Sequence, residues 1–469
     1  MKIHHILAAP LLSVILASSP VFAADAVDQN KELETLRKQI SDLVKKVETL
    51  ETKSKQQAAQ PAPAPAADAA SKDQFVSKGK FPGSILIPGT DTSMKINGLV
   101  KLDVITDLGG AYADEYNKYA QIPLDGSAKS GLPMETRFHA RQSKLAVETR
   151  TPTEYGEMKT LIEGDFYGAT AASRLITNGD GFQVRHAFGS LGHVLAGQTW
   201  STFMDTDCLF ETMDYGGPSA LIFIRQGQVR YTDTFGKWTV SGSIENPQGD
   251  FFTTDSTRQK PNAEMPDIVA RADYKYGLGY TSLRALVRQI NAVSYSGAIN
   301  AILGPGYITQ SGAYNKDTEF GYAFAVSGKQ KFYEGANDTF NYQFVYGDGV
   351  GRYLYEIGLP NTGNSYINGR LELQKAYAGF LGMQHVWSPH WRTNLFGGFT
   401  HVSNNDAMKI VADTNQTINK FVGSGHINLV WQPIPSFKVG TEYTHAYRKY
   451  RDGKEGNLDR LETSFIYNF

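Results

Sequence analysis

The chain has 469 residues, a formal net charge of −1, 46 glycines and 25 each of tyrosine and phenylalanine. A charge balance so near zero excludes a bulk electrostatic pull toward nucleic acid, and a single cysteine, Cys208, excludes an intrachain disulfide. Mean hydropathy is −0.34, and no mature segment approaches the ~20 apolar residues of a spanning helix, a test that says nothing of a barrel alternating wet and oily residues.

Taken in order, Met1 to Ala23 has the build of a secretory signal: Lys2 at the start, an apolar middle from Ile6 to Leu16, and Val21-Phe-Ala23 as a cleavage site. Leu33, Leu36, Ile40, Leu43, Val47 and Leu50 then follow gaps alternating between 3 and 4, the seam of a coiled coil. Such a stripe also packs on a globular core, but only the Ala-Pro-rich run from Gln56 to Ala70 follows, a stiff extended linker. A helix this short is marginal alone, so self-association is predicted, and branched residues at a with leucine at d lean toward two strands.

Period-two segments begin near Met94 and continue to the end. Strands are predicted at 94–106, 137–150, 156–168, 181–190, 193–200, 220–232, 236–246, 266–276, 279–290, 319–330, 338–347, 371–387, 390–403, 421–432, 436–448 and 459–469, about 16 in all. Connections after odd-numbered strands are long (107–136, 169–180, 201–219, 247–265, 291–318, 348–370, 404–420, 449–458), and those after even-numbered strands are tight, as at Leu191-Gly192 and Ser388-Pro389. Short turns at one end and long loops at the other are the pattern of an outer-membrane barrel. Val100, Leu102 and Val104 alternate with Lys101 and Asp103; Leu145 and Val147 with Lys144 and Glu148; Leu283, Ala285 and Val287 with Arg284 and Arg288. A Lys or Arg on the lipid face at mid-depth costs about 2–4 kcal/mol, so the charged face must line a wet lumen, and a barrel of this size leaves an aqueous channel. The last strand ends on Phe465, Tyr467 and Phe469, rings suited to the water–lipid boundary.

Reactive chemistry is not indicated. His385 and His390 flank a turn, and no other histidine pair has metal-ligand spacing. Gly347-Asp-Gly-Val-Gly351 follows a strand but lacks the helix and Lys-Ser/Thr of a phosphate loop. His139, His186, His401 and His445 single out no triad, and Glu163 and Asp165, near Lys159 and Arg150, read as lumen ion pairs. No cofactor and no metal is implied. The informative pattern is charge. Lys101, Lys144, Arg150, Arg185, Arg230, Arg271, Arg284 and Arg288 fall on the inward face, while the third long loop carries Asp205, Asp207, Glu211 and Asp214. If that loop folds into the lumen, acidic and basic groups meet across a constriction, and a basic wall favours anions. The alternative is that these arginines only neutralise Asp103, Glu148, Glu163 and Asp273.

Several runs carry a family likeness: Gly98-Leu-Val-Lys-Leu-Asp103, Ala140-Arg-Gln-Ser-Lys-Leu145, Glu163-Gly-Asp-Phe166, Arg185-His-Ala-Phe188, Leu195-Ala-Gly-Gln-Thr-Trp-Ser201, Tyr346-Gly-Asp-Gly-Val-Gly-Arg352 and Tyr467-Asn-Phe469. With the heptad segment before the barrel, the chain resembles the DcaP-like trimeric porins of Gram-negative bacteria. That resemblance implies a homotrimer of 16-stranded barrels passing small anionic organic acids, dicarboxylates and aromatic carboxylates among them. Its trimer conflicts with the two-strand lean of the seam, and the barrel takes precedence. The expectation is an all-β transmembrane barrel of about 16 antiparallel strands with an N-terminal α-helical coiled coil: a signal peptide over 1–23, a periplasmic coiled coil over 24–55, a linker over 56–92 and an outer-membrane barrel over 93–469. Its partners would be two further copies, outer-membrane lipids, carboxylate solutes and whatever the coiled coil meets in the periplasm. The rival readings are a neutral-solute or sugar channel, which would carry a ladder of inward aromatics, an outer-membrane hydrolase, and a structural anchor.

Overall fold

The computed structural model describes residues 77–109, 119–168, 180–253, 264–296, 313–356, 364–367, 369–403 and 419–469, together with five residues of the N-terminal segment. The chain divides into two units, Met1–Lys72 and Asp73–Phe469. In the first, Lys38, Ser41, Asp42, Lys45 and Lys46 are helical and exposed. The predicted signal peptide, the seam residues of the coiled coil and the linker as far as residue 76 lie outside the described residues.

The second unit is a closed antiparallel barrel of 16 strands. They are β1 Ser93–Gly109, β2 Glu135–His139 with Lys144–Thr153, β3 Gly156–Gly168, β4 Gly181–Leu191, β5 Val194–Trp200, β6 Arg225–Phe235, β7 Trp238–Glu245 and β8 Asp267–Tyr276. The remainder are β9 Gly279–Ser296, β10 Ala313–Lys331, β11 Thr339–Asp348, β12 Lys375–Ser388, β13 Trp391–Val402, β14 Asn419–Ile434, β15 Phe437–Tyr450 and β16 Glu455–Asn468. Pairing of β1 with β16, from Leu99↔Asn468 to Gly109↔Asp459, closes the wall and leaves no edge. Each strand pairs with its sequence neighbour, so each predicted strand has its counterpart. Gly192 and Gly236 take φ of 55° and 61° in the tight turns after β4 and β6, where a side chain would be strained.

Several predicted boundaries need correction. The sixth and twelfth strands start at Arg225 and Lys375 rather than at 220 and 371, and the ninth and tenth stay paired to Ser296 and Ala313, which shortens the loop between them. The second strand is broken at residues 140–143, where Ser143 Oγ accepts from the Lys101 amide at 3.0 Å and Phe166 N donates to Arg141 O. The last external connection is only 451–454, because β15 and β16 stay paired out to Lys449↔Glu455.

The two faces are inverted relative to a soluble protein. On β1, Val100 and Leu102 are 51% and 38% exposed, while Lys101 and Asp103 between them are 4% and 0% exposed. Leu145, Ile162, Leu283 and Val287 are likewise exposed, and Arg284 and Arg288 buried. Among the described residues no helix is long and apolar enough to cross a membrane; the strands make the crossing.

Candidate permeation path

The loop after β5, L3 (residues 201–224), folds into the barrel and is fastened along its length. Glu245 on β7 accepts from Thr202 N at 2.8 Å, Arg284 Nη1 donates to Phe203 O at 2.6 Å, and Arg271 Nη1 to Met204 O at 2.8 Å. Asp205 accepts from Arg271 Nη2 at 3.1 Å, Tyr280 Oη at 2.9 Å and Ser327 Oγ at 2.5 Å. Burial pushes the Asp205 carboxyl up, but Arg271 and Arg284 outweigh it and hold it below the ordinary range. Further on, Glu211 is gripped by Arg392 and by Lys438 Nζ at 2.7 Å, which overcome burial and lower its pKa. Met213 O accepts from Lys101 Nζ at 2.5 Å, and Gln343 Nε2 donates to Ala220 O at 3.0 Å on the return leg.

The side of L3 turned to the wall is apolar. Phe203, Met204, Phe210, Leu221 and Ile222 pack on Val269, Leu286, Phe380 and Phe396, and Ala323, Ala325, Ala376 and Ala378 supply the room. Cys208 is buried in this cluster, and burial pushes its thiol well up, so it is an inert filler. The inner wall under L3 is therefore protein core, not channel.

Water reaches the opposite wall. Along β2 to β7 the inward Lys144, Glu148, Arg150, Lys159, Glu163, Arg185 and Arg230 are all part-exposed. Most are paired: Arg185 with Glu163 at 2.8 Å and Asp165 at 2.5 Å, Lys144 with Glu163 at 3.5 Å, Arg150 and Lys159 with Glu148 at 2.6 and 3.3 Å. A register shift opposite Glu163/Gly164 turns both Arg185 and His186 inward, the re-aiming that a bulge provides. Arg230 has the nearby charge of Glu245 but donates no hydrogen bond among the described residues. Tyr215 of L3 touches this wall: it stacks on Tyr167 of β3 with centroids 4.2 Å apart, and Arg185 Nη1 donates to its hydroxyl at 3.4 Å. Arg141 lies over the far face of Tyr167 at 4.6 Å.

A barrel closed by its own ends, an infolded loop and one charged, wetted wall are the parts of a diffusion channel. The sequence profile of the porin subfamily matches residues 83–465. The chain belongs to that family. Relatives include porin Omp2b of Brucella neotomae, 28% identical over 287 residues that span 57% of this chain and 73% of that protein. Porin Omp2b of Brucella suis is 27% identical over 296 residues, with the same shares. The crystal structure of the outer membrane channel DcaP of Acinetobacter baumannii superposes with a TM-score of 0.65 at 22% identity, covering 81% of this chain and 97% of DcaP. The resemblance carried by the motifs is borne out, and the chain is an outer-membrane channel, not an enzyme.

The geometry redistributes the predicted charges of this porin. Lys144, Arg150, Arg185 and Arg230 stand on the wetted wall. Arg271, Arg284 and Arg288 are fasteners: the first two hold L3, and Arg288, fully buried, bonds Asp250 at 2.7 Å and the carbonyls of Gln248, Gly349 and Val350. Lys101 is buried between Asp103, Gln142 and L3. A field with acidic L3 facing basic wall is not what forms. Asp205, Glu211 and Asp214 turn away from the path toward donors behind the loop, and only Asp207 is exposed. The path also holds four rings, Tyr167, Tyr215, Phe223 and Trp200. Arg225, absent from the predicted set, lies 3.5 Å over the Trp200 ring. Asp214, His426 and Glu442 come close enough to share an ion. Protein donors already serve both carboxylates, and His426 bonds Glu442, so the trio reads as a fastening.

Proposed function

We propose that this porin favours small anionic organic solutes, dicarboxylates and aromatic carboxylates among them. The observation that supports it is the composition of the wetted wall: Lys144, Arg150, Lys159, Arg185 and Arg230 against Glu148, Glu163 and Asp165, with the anchoring carboxylates of L3 turned away. A basic wall in a narrow, low-dielectric passage concentrates anions. Reversal potentials in a KCl gradient test this, followed by current block with a panel of carboxylates. Chloride preference is expected, and potassium preference would end the proposal. The stack of Tyr167 and Tyr215 favours a second reading, a channel for flat neutral solutes; stronger block by neutral sugars than by carboxylates would select it.

The functional unit we infer is a homotrimer in the outer membrane, with the N-terminal signal removed and residues 24–55 forming a periplasmic coiled coil on a linker. Wall height supports assembly. β5 and β7, Val194–Trp200 and Trp238–Glu245, fall short of the 9–11 residues that a spanning strand needs. Irregular backbone above them would face lipid unless protein covered it. Cross-linking in native membranes tests the copy number, and a monomer would refute the trimer.

A further inference from the structure

L3 leaves the wall at one point that sets the path. Residues 212–214 lead directly into Tyr215, the ring that touches Tyr167 and Arg185 of the wetted wall. Lys101 Nζ bonds Met213 O, and one carboxylate on β15 takes both Thr212 and the Met213 amide. Glu442, 1% exposed, accepts from Thr212 Oγ1 at 2.7 Å and Met213 N at 2.9 Å on the loop. From β14 it accepts from Asn428 Nδ2 at 3.0 Å and pairs with His426 Nδ1 at 2.9 Å. An ionised carboxylate takes up to about four such donors, and each charged hydrogen bond is stronger than a neutral one. His426 is fixed in turn by Phe396, stacked at 4.6 Å, and by Ser424 Oγ at 3.0 Å.

The second half of the fastening comes from outside the barrel wall. Tyr119, in the single turn Tyr119–Gln121 of the first external loop, is fully buried. Its hydroxyl donates to Asp214 Oδ2 at 3.0 Å and lies 3.1 Å from His426 Nε2. Ile122 beside it packs with Val422, Ala446 and Leu458 of the wall. The first external loop, the constriction loop and β14–β15 thus meet at Asp214, His426, Glu442 and Tyr119. Among the described residues the partners of Glu442 are all on L3 and β14, so its hold is separate from the wetted wall.

We propose that Glu442 is the positioning residue of the constriction: it sets where Tyr215 stands, and Tyr119 makes the first external loop part of the same clasp. Disturbance of that loop at the cell surface is then transmitted to the width of the path. The chain of contacts has a two-sided consequence. Loosening Glu442 releases Thr212 Oγ1 and the Met213 amide together, whereas loosening Tyr119 releases its hydroxyl contacts to Asp214 and Gly217 O. The constriction should respond in that order.

The test is single-channel recording of purified full-length protein in planar bilayers. Glu442→Gln keeps the shape but removes the charge and converts one acceptor into a donor facing Met213 N or Thr212. It should change unitary conductance by at least about 1.5-fold and raise open-channel noise severalfold, with the chloride-to-potassium ratio unchanged. Tyr119→Phe, which removes one hydroxyl, should shift noise in the same direction by less. Folding is read separately, as the fraction of heat-modifiable barrel on unheated gels; a role in stability alone would move that fraction and leave conductance untouched. If Glu442→Gln does not fold, Tyr119→Phe decides. Wild-type conductance and noise in a folded Glu442→Gln porin, or in Tyr119→Phe when only that variant folds, overturns the proposal.

Discussion

The inner faces of β2–β7 and of β8–β16 obey the same alternation and end in opposite states. On the first, most charged side chains are part-exposed and pair with one another, while Asp165 and Glu245 are buried. On the second, charged side chains are sealed under L3 and the other infolded loops, and pair tightly with loop carboxylates or loop carbonyls. An inward arginine therefore has two fates, and what decides between them is whether a loop lies over it. Arg230 and Arg288 are the two extremes: one part-exposed and donating no hydrogen bond among the described residues, the other fully buried and bonded to Gln248, Asp250, Gly349 and Val350 of the loops. A porin lumen is in this sense half channel and half core.

The sharpest way to break the comparison is Arg288→Ala. It leaves Asp250 and Asp267, both buried, without the cation at 2.7 and 3.8 Å. Removing one partner of a buried pair costs about 3–5 kcal/mol. Denaturant unfolding of the folded barrel in detergent should show a loss of that size. A loss below about 1 kcal/mol would place Arg288 in the wetted class after all.

Much of this was legible in the sequence, and what was not has physical causes. Val100 and Lys101 announce their faces by period two, because a closed wall between oil and water imposes it on every strand. L3 has no period, and its partners are far away in the chain: Asp205 meets Arg271, and Glu211 meets Arg392 and Lys438, through tertiary placement alone. A signal was present, however. Ala323, Ala325, Ala376 and Ala378 are inward positions with neither charge nor bulk, which a wetted wall does not need and a wall packed by a loop does. Arg185 pairs with Glu163 and Asp165, but the bulge that also turns His186 inward has no sequence mark. Arg225 was missed because it shares the parity of outward Gly227 and Val229, yet lies over Trp200 and Phe223 at the rim of β5 and β6.

A middle-sized effect concerns the fasteners themselves. Asp205 and Glu211 both titrate below their ordinary values of 3.8 and 4.5. A carboxyl lowered in the folded state adds stability that is complete above its unfolded pKa and is lost as pH falls through its folded pKa. The hold on L3 should therefore be constant from neutral pH down to about 4.5 and fail only below it. Open-channel noise against pH measures this. Glu211→Gln should produce the same noise at neutral pH, at a cost of about 1.5–3 kcal/mol for the lost charged hydrogen bonds to Arg392 and Lys438, and should flatten the acid limb. Noise that rises between pH 7 and 5 would mean that other groups hold the loop.

The smallest expected change in stability is at Arg230, and it is the one that bears on function. Its side chain donates no hydrogen bond and is part-exposed, so Arg230→Gln should alter stability by no more than about 0.5 kcal/mol. Its charge, in contrast, is not spent on a directly bonded carboxylate as those of Arg185 and Arg150 are. A charge with no directly bonded counterion on a wetted wall acts on passing ions, offset in part by Glu245 and screened over about 10 Å at 0.1 M salt. Removing it should lower the chloride-to-potassium permeability ratio about twofold at low salt and by less at 1 M. The salt dependence is the discriminating part. A ratio that falls equally at both ionic strengths would point to a changed pore shape, and an unchanged ratio would assign selectivity to Lys144, Arg185 and Arg225 instead.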